Sequence, residues 1–233
     1  MAVLDYFNLT GKTAVVTGGA GLLGRQWVKT LRGAGARVKN IDLVYGQDIT
    51  SEAWQRNYSW SDVDILVNNA CNDPKIGNMS EEWDLTQWIE DMNVGLTGVF
   101  LCCKYGGRAM EKGNGGVIIN IGSDLGVISP DQRIYDGQKK PVSYSVIKHG
   151  LVGLTKWAAT YFAGKDIRVN CLSLGGVFNW QPDEFIKKVS DLIPLGRMAR
   201  ANEYNTALLF MASDASSYMT GANVIIDGGR SIW

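Results

Sequence analysis

The chain has 233 residues, with 23 Lys plus Arg against 23 Asp plus Glu and 45% hydrophobic residues. Zero formal charge leaves no net field to hold a phosphate backbone, so nucleic acid is not an expected partner, and the apolar content excludes a disordered chain. The longest uncharged stretch, residues 169–182, contains Asn170, Ser173, Asn179 and Gln181. It is too short and too polar for a membrane span of about 20 apolar residues. Residues 1–12 show no basic leader or apolar signal core. Cys71, Cys102, Cys103 and Cys171 lack CxxC spacing, and His149 is the only histidine, so zinc ligation is not expected. These features predict a cytoplasmic protein with buried, reduced thiols.

In chain order, a strand over 13–17 runs straight into Thr17-Gly18-Gly19-Ala20-Gly21-Leu22-Leu23-Gly24, where a helix over 22–33 begins. Glycine lets a backbone approach a pyrophosphate closely, and the free N–H groups of a helix start face the anion. A second strand over 37–42 ends on Asp42, 24 positions after Gly18. Such a carboxylate accepts hydrogen bonds from adenosine ribose hydroxyls and repels a 2′-phosphate. With no basic residue in the turn or directly after Asp42, NAD is the expected cofactor rather than NADP. Further strands are predicted over 65–68, 117–121, 168–172 and 224–227, and helices over 85–106, 143–162, 184–192 and 203–212. This alternation, without linker or repeat, predicts one α/β domain over 1–233 with a doubly wound parallel sheet, the Rossmann fold. Ligands then bind beyond the C-terminal strand ends.

Two Tyr-x-x-x-Lys sequences lie between Ser123 and Lys148. Tyr135 to Lys139 spans Gly137 and precedes Lys140-Pro141, which suits a loop, whereas Tyr144 to Lys148 opens a long helix. Residues i and i+4 share a helix face, so the Lys148 ammonium is expected to lower a phenol pKa of about 10. A tyrosine tuned this way exchanges a proton with a hydroxyl or carbonyl near neutral pH.

Over nearly its whole length the chain resembles the single-domain branch of the short-chain dehydrogenase/reductase family. The resemblance rests on the glycine turn, Asn68-Asn69-Ala70, Asn93 in Met-Asn-Val-Gly-Leu-Thr-Gly, Asn120-Ile-Gly-Ser123 and Tyr144/Lys148. It continues through Arg168-Val-Asn-Cys-Leu-Ser-Leu-Gly175, Pro194-Leu-Gly-Arg197, Ser213-Asp-Ala-Ser-Ser-Tyr-Met-Thr-Gly221 and Asp227-Gly-Gly229. It implies Tyr144 as general acid/base, Lys148 as its tuner and a ribose ligand, Ser123 as partner of the reacting oxygen, and Asn93 as orderer of a relay water. It further implies a cofactor cradle of Gly18, Gly21, Leu22, Leu23, Gly24 and Asp42, with Asp48 and Ile49 at the adenine. Asn69 and Ala70 would lie at the adenosine ribose, and Gly175, Val177 and Asn179 at the nicotinamide. A substrate lid over about 177–194 and a homodimer or homotetramer follow by the same analogy.

Four departures from the family bear on function. The glycine spacing TGxxGxxG resembles that of the epimerase and dehydratase branch, but only 85 residues follow Lys148. Five residues separate Asp42 from Asp48, so an edge helix is expected to be missing and an edge strand missing or very short. Ser123 and Tyr144 stand 21 apart, the surplus over 128–141 carrying Asp131, Arg133, Tyr135, Lys139 and Lys140. Arg133 and the two lysines can pair with a phosphate or carboxylate, or simply face water. Leu174 and Asn179 replace a usual proline and threonine.

Trp54, Trp60, Trp83, Trp88 and Trp157 are expected in the core or interfaces, Trp180 at the substrate wall or in solvent, and His149 in packing or at an interface rather than as a catalytic base. The expected activity is NAD(H)-dependent interconversion of a secondary alcohol and a ketone on a polar small molecule. The runs Gly126-Val-Ile-Ser-Pro-Asp-Gln-Arg-Ile-Tyr135 and Gly175-Gly-Val-Phe-Asn-x-Gln-Pro-x-x-Phe185 further resemble oxidoreductases of bacterial surface-sugar pathways, including flagellin glycosylation and nonulosonic acids, which implies a sugar, amino sugar or nucleotide sugar. A dinucleotide-binding scaffold without chemistry and a sugar epimerase or dehydratase retaining NAD stay open as alternatives.

Overall fold

The computed structural model describes residues 2–72, 74 and 84–233. Its first strand, β1 (Thr13–Thr17), is buried at every position, which requires cover on both faces. The chain then forms α1 (Leu22–Gly33), β2 (Arg37–Ile41), the short α2 (Glu52–Asn57) and β3 (Ile65–Asn68). After these come α3 (Leu85–Met92), α4 (Val99–Lys112), β4 (Gly116–Ser123), α5 (Val142–Tyr161) and β5 (Ile167–Leu174). The last elements are α6 (Asp183–Ser190), α7 (Asn205–Ala212) and β6 (Asn223–Ile226).

The six strands make one parallel sheet in the order β2-β1-β3-β4-β5-β6. Alternate side chains divide between two cores, because successive residues of a strand point to opposite faces. Ala14, Val16, Ile65, Val67, Val117 and Ile119 pack with Trp27 and Leu31 of α1 and Leu208 and Met211 of α7. Val15, Leu66, Ile118 and Val169 pack with Val99 and Cys102 of α4 and Ile147 and Leu151 of α5. The order reverses between β1 and β3, and a crevice opens there beyond the strand ends.

The trimmed edge is as expected. Five residues are too few for a crossover, which needs about 10–12. A single 3₁₀ turn, Leu43–Tyr45, fills the gap, and β2 is the sheet edge. Strand 37–42 ends one residue early because Asp42 leaves the ladder to cap that turn, accepting from Val44 N at 3.2 Å. The helix expected over 85–106 is instead two helices joined by a π-helical turn, Asn93–Gly98, and α4 runs on to Lys112. Gly95 and Gly98 explain the join: a Cβ on them would meet Ile147 at 2.7 Å and Ile49 at 2.8 Å. Among the described residues no helix is long and apolar enough to cross a membrane.

Candidate active site

A cavity of about 910 Å³ runs along the C-terminal strand ends. One end is made by the glycine turn and the residues after β2, the other by β4, α5 and α6. Gly18, Gly21, Leu22, Leu23, Asp42, Asp48, Ile49, Asn69, Ala70, Ser123, Tyr144, Lys148, Gly175, Val177 and Asn179 all line it. Residues spread over 162 positions of sequence are thus brought to one surface by the parallel sheet alone.

At the first end, Gly18 has φ +63°, a conformation L side chains rarely adopt, and a Cβ there would lie 2.8 Å from Ala70 Cα. Gly24 does not line the cavity. Its missing Cβ is the place of Gly18 O, 2.0 Å away, so Gly24 seats the turn on α1 rather than facing a ligand. Asn69 holds the turn from the other side. Its Nδ2 donates to Thr17 O and Gly18 O, both at 3.0 Å, and its Oδ1 accepts from Trp27 Nε1 at 2.9 Å. Trp27 is therefore part of the support of the turn, which its place in an amphipathic helix did not reveal. Asp42 accepts from Ala20 N at 2.9 Å as well as from Val44 N, tying the turn to the sheet edge. A carboxylate offers about four acceptor sites, so capacity remains for a ligand hydroxyl. Asp48 Oδ1 accepts from Thr50 N and Oγ1, both at 2.8 Å. The wall between Asp42 and Asp48 is only the 3₁₀ turn, with Leu43 70% exposed. These residues fit a dinucleotide: Gly18 and Gly21 leave the backbone of the turn open to the cavity, and the start of α1 faces it.

At the other end Ser123 closes β4, and Tyr144 and Lys148 stand one turn apart on α5. Lys148 is buried and its Nζ donates to Ile121 O at 2.9 Å, placing the ammonium 5.5 Å from the Tyr144 ring centre. Lys140, brought in by the 128–141 segment, lies 4.0 Å from the same centre. Burial raises the Tyr144 pKa, while the Lys148 charge and hydrogen bonding from Ser123 lower it. Lys148 thus acts in the expected, lowering sense, but the net direction is upward, because loss of water outweighs the neighbouring charge. Tyr144 is therefore a protonated acid at neutral pH, which Lys148 makes easier to ionise.

Asn93 is exposed and does not reach the cavity. Residues two apart point to opposite sides of a helix, and Gly95 takes the side facing α5. The Asn93 side chain is thus placed away from the cavity that Lys148 lines, unlike the relay position the resemblance implies. Val94 is the residue of this turn that lines the cavity.

The 128–141 segment forms a 3₁₀ turn, Gln132–Tyr135, and packs Ile134 and Tyr135 against Val189, Ile193 and Met198, with Phe185 of α6 alongside. Lys188 of α6 pairs with Asp136 of this turn. Tyr135 lines the cavity, and burial pushes its pKa up to about 12. Arg133 turns away, paired with Asp131 at 2.7 Å. Lys139 does not line the cavity either. Trp180 is 87% exposed beside Phe178 and forms no cavity wall, whereas Gln181 does. His149 is exposed on Ser145 O, and Trp60 is buried, but Trp157 is exposed. Trp83 lies outside the described residues. The four cysteines are free thiols, three buried and Cys71 exposed at the cavity, contrary to the expectation of full burial.

Residues 11–231 match the family model described as enoyl-(acyl carrier protein) reductase. D-threitol dehydrogenase of Mycolicibacterium smegmatis is 30% identical, covering 97% of this chain and 95% of that protein. Cis-4-hydroxycyclohexanecarboxylate dehydrogenase of Sinomonas cyclohexanicum is 32% identical, over 94% and 96%. The crystal structure of a short chain dehydrogenase from Leptospira borgpetersenii with bound NAD+ superposes with a TM-score of 0.87 at 32% identity, over 98% and 96%. The chain belongs to the short-chain dehydrogenase/reductase family.

Proposed function

We propose that this protein is an NAD(H)-dependent oxidoreductase that interconverts a secondary alcohol and a ketone on a polar, sugar-like substrate in the cytoplasm. The observation that carries this reading is the meeting of Ser123, Tyr144 and Lys148 at one end of a cavity whose other end is the glycine turn with Asp42. When bound, the nicotinamide supplies the hydride acceptor or donor, and its oxidised form adds a positive charge beside the phenol.

In reduction, Tyr144 Oη gives its proton to the forming alkoxide while Ser123 holds the same oxygen. In oxidation, the phenolate takes the hydroxyl proton. Lys148 stabilises that phenolate through space. Gly18, Gly21 and the start of α1 hold the pyrophosphate, Asp42 the adenosine ribose, and Gly175, Val177 and Asn179 the nicotinamide side. The names of the relatives, a polyol dehydrogenase and a hydroxy-acid dehydrogenase, agree with a substrate rich in oxygen.

The test is NADH formation from polyols, sugars, amino sugars and nucleotide sugars, run beside NADP and repeated with Asp42→Ala. Wild type is expected to favour NAD, and Asp42→Ala to reduce that preference by about tenfold or more through loss of ribose hydrogen bonds and of repulsion. Equal use of both cofactors by wild type refutes the assigned role of Asp42.

We also propose that copies of the chain pair through α4 and α5, which leave Phe100, Val146, Trp157 and Tyr161 exposed. Sedimentation equilibrium is expected to give a dimer or tetramer mass, and Trp157→Glu to lower it. A monomer at all concentrations removes this part of the reading.

A further inference from the structure

Downstream of β6 the chain turns back into the reaction end of the cavity. Gly228 and Gly229 have φ of +68° and +91°, and a Cβ on them would strike Ile193 at 2.6 Å and Pro194 at 2.8 Å. The Asp227 carboxylate fixes the turn, accepting from Gly229 N at 2.9 Å and Ser231 N at 2.7 Å. The next side chain, Arg230, is thereby set in the cavity wall, where the residue is only 8% exposed.

Arg230 Nη1 donates to Asp124 Oδ2 at 3.1 Å, across 106 residues of sequence. The other carboxylate oxygen, Oδ1, accepts from Ser123 Oγ and Leu125 N, both at 2.8 Å. One carboxyl group therefore separates Arg230 from Ser123. A guanidinium has five N–H donors, and the bond to Asp124 is the one hydrogen bond of this side chain among the described residues. None of its remaining nitrogens is among the buried polar atoms that lack a partner, so they are open to the cavity that Arg230 lines and can take acceptors from a ligand there. Lys140 and Lys148 line the same end, and Asp124 is the one carboxylate of the cavity there among the described residues. Asp42 and Asp48 lie at the opposite end.

We propose that Arg230 is a carboxylate subsite, and that the substrate is a hydroxy acid. The carboxylate takes the free edge of the Arg230 guanidinium while the reacting hydroxyl lies at Ser123 and Tyr144. The planar fork matches two carboxylate oxygens. A dianionic phosphate in this place would press two charges against Asp124, so the singly charged group is preferred. The short path through Asp124 sets the carboxylate within one small ring or a few carbons of the reacting carbon.

This inference rests on the oxidoreductase reading and deepens it. The experiment compares kcat/KM for hydroxy acids and for their neutral primary amides, in matched linear and cyclic pairs, with sugar phosphates as a third arm. Wild type is expected to favour the acid by about 10²-fold or more, and Arg230→Lys to lose much of that ratio, mainly through KM. Arg230→Gln strands the Asp124 carboxylate, so Asp124→Asn/Arg230→Gln is measured beside it, with NADH binding as the check of folding. In the double variant the acid-to-amide ratio is expected near one. Equal kcat/KM for acid and amide in wild type overturns the subsite and leaves the oxidoreductase reading intact. Preference for the phosphates overturns the carboxylate assignment. No turnover of any secondary alcohol with NAD or NADP overturns both.

Discussion

Tyr144→Phe is expected to lower kcat by about 10³–10⁴-fold in both directions while NADH affinity changes little. The substitution removes one oxygen and keeps the ring, so the contact with Lys140 at 4.0 Å and the packing of α5 persist. The reacting oxygen then keeps only the hydrogen bond of Ser123, whose aliphatic hydroxyl is far too weak an acid to give up its proton in place of the phenol. Steady-state rates, with NADH fluorescence for binding, check the prediction. Turnover that survives within tenfold would show that another group moves the proton.

Lys148→Met is the second change of large effect, and its pH dependence carries the information. Lys148 lowers the Tyr144 pKa against the larger upward push of burial. Removing the ammonium removes a downward influence, so the pKa rises further. Oxidation needs the phenolate, and its rate climbs with pH until the phenol has ionised. The rising limb of kcat against pH is therefore expected to move to higher pH in the variant. At neutral pH the rate should fall by about tenfold for each unit of that displacement. Reduction uses the protonated phenol, so its falling limb moves to higher pH as well. A variant that is slower by one factor at every pH would mean that Lys148 orients ligands without tuning the phenol.

Much of the site is legible in the sequence. The glycine turn lies between β1 and α1, and the i, i+4 spacing of Tyr144 and Lys148 places both on the cavity side of α5, because both readings need only local geometry. The short gap after Asp42 foretold the lost edge for the same reason, since chain length limits what a connection can build. Asn93 shows where such reasoning stops. Two polar or small residues, Asn93 and Gly95, lie two positions apart, and a π-helical turn decides which faces α5. The family pattern implied a place for Asn93 at the cavity, and the helix rotation turns its side chain to solvent instead.

Local periodicity and turn chemistry thus determined the class of fold, the glycine cradle and the Tyr144–Lys148 pair, since each depends on residues a few positions apart. The tertiary structure alone decided what depends on distant segments meeting. It sets the desolvation of Tyr144 against the charge of Lys148, and it stands Trp27 behind Asn69. It also brings Arg230 to Asp124 beside Ser123. Solvation and charge pairing are set by every group that surrounds an atom in space, and a parallel sheet assembles that surrounding from strands far apart in the chain.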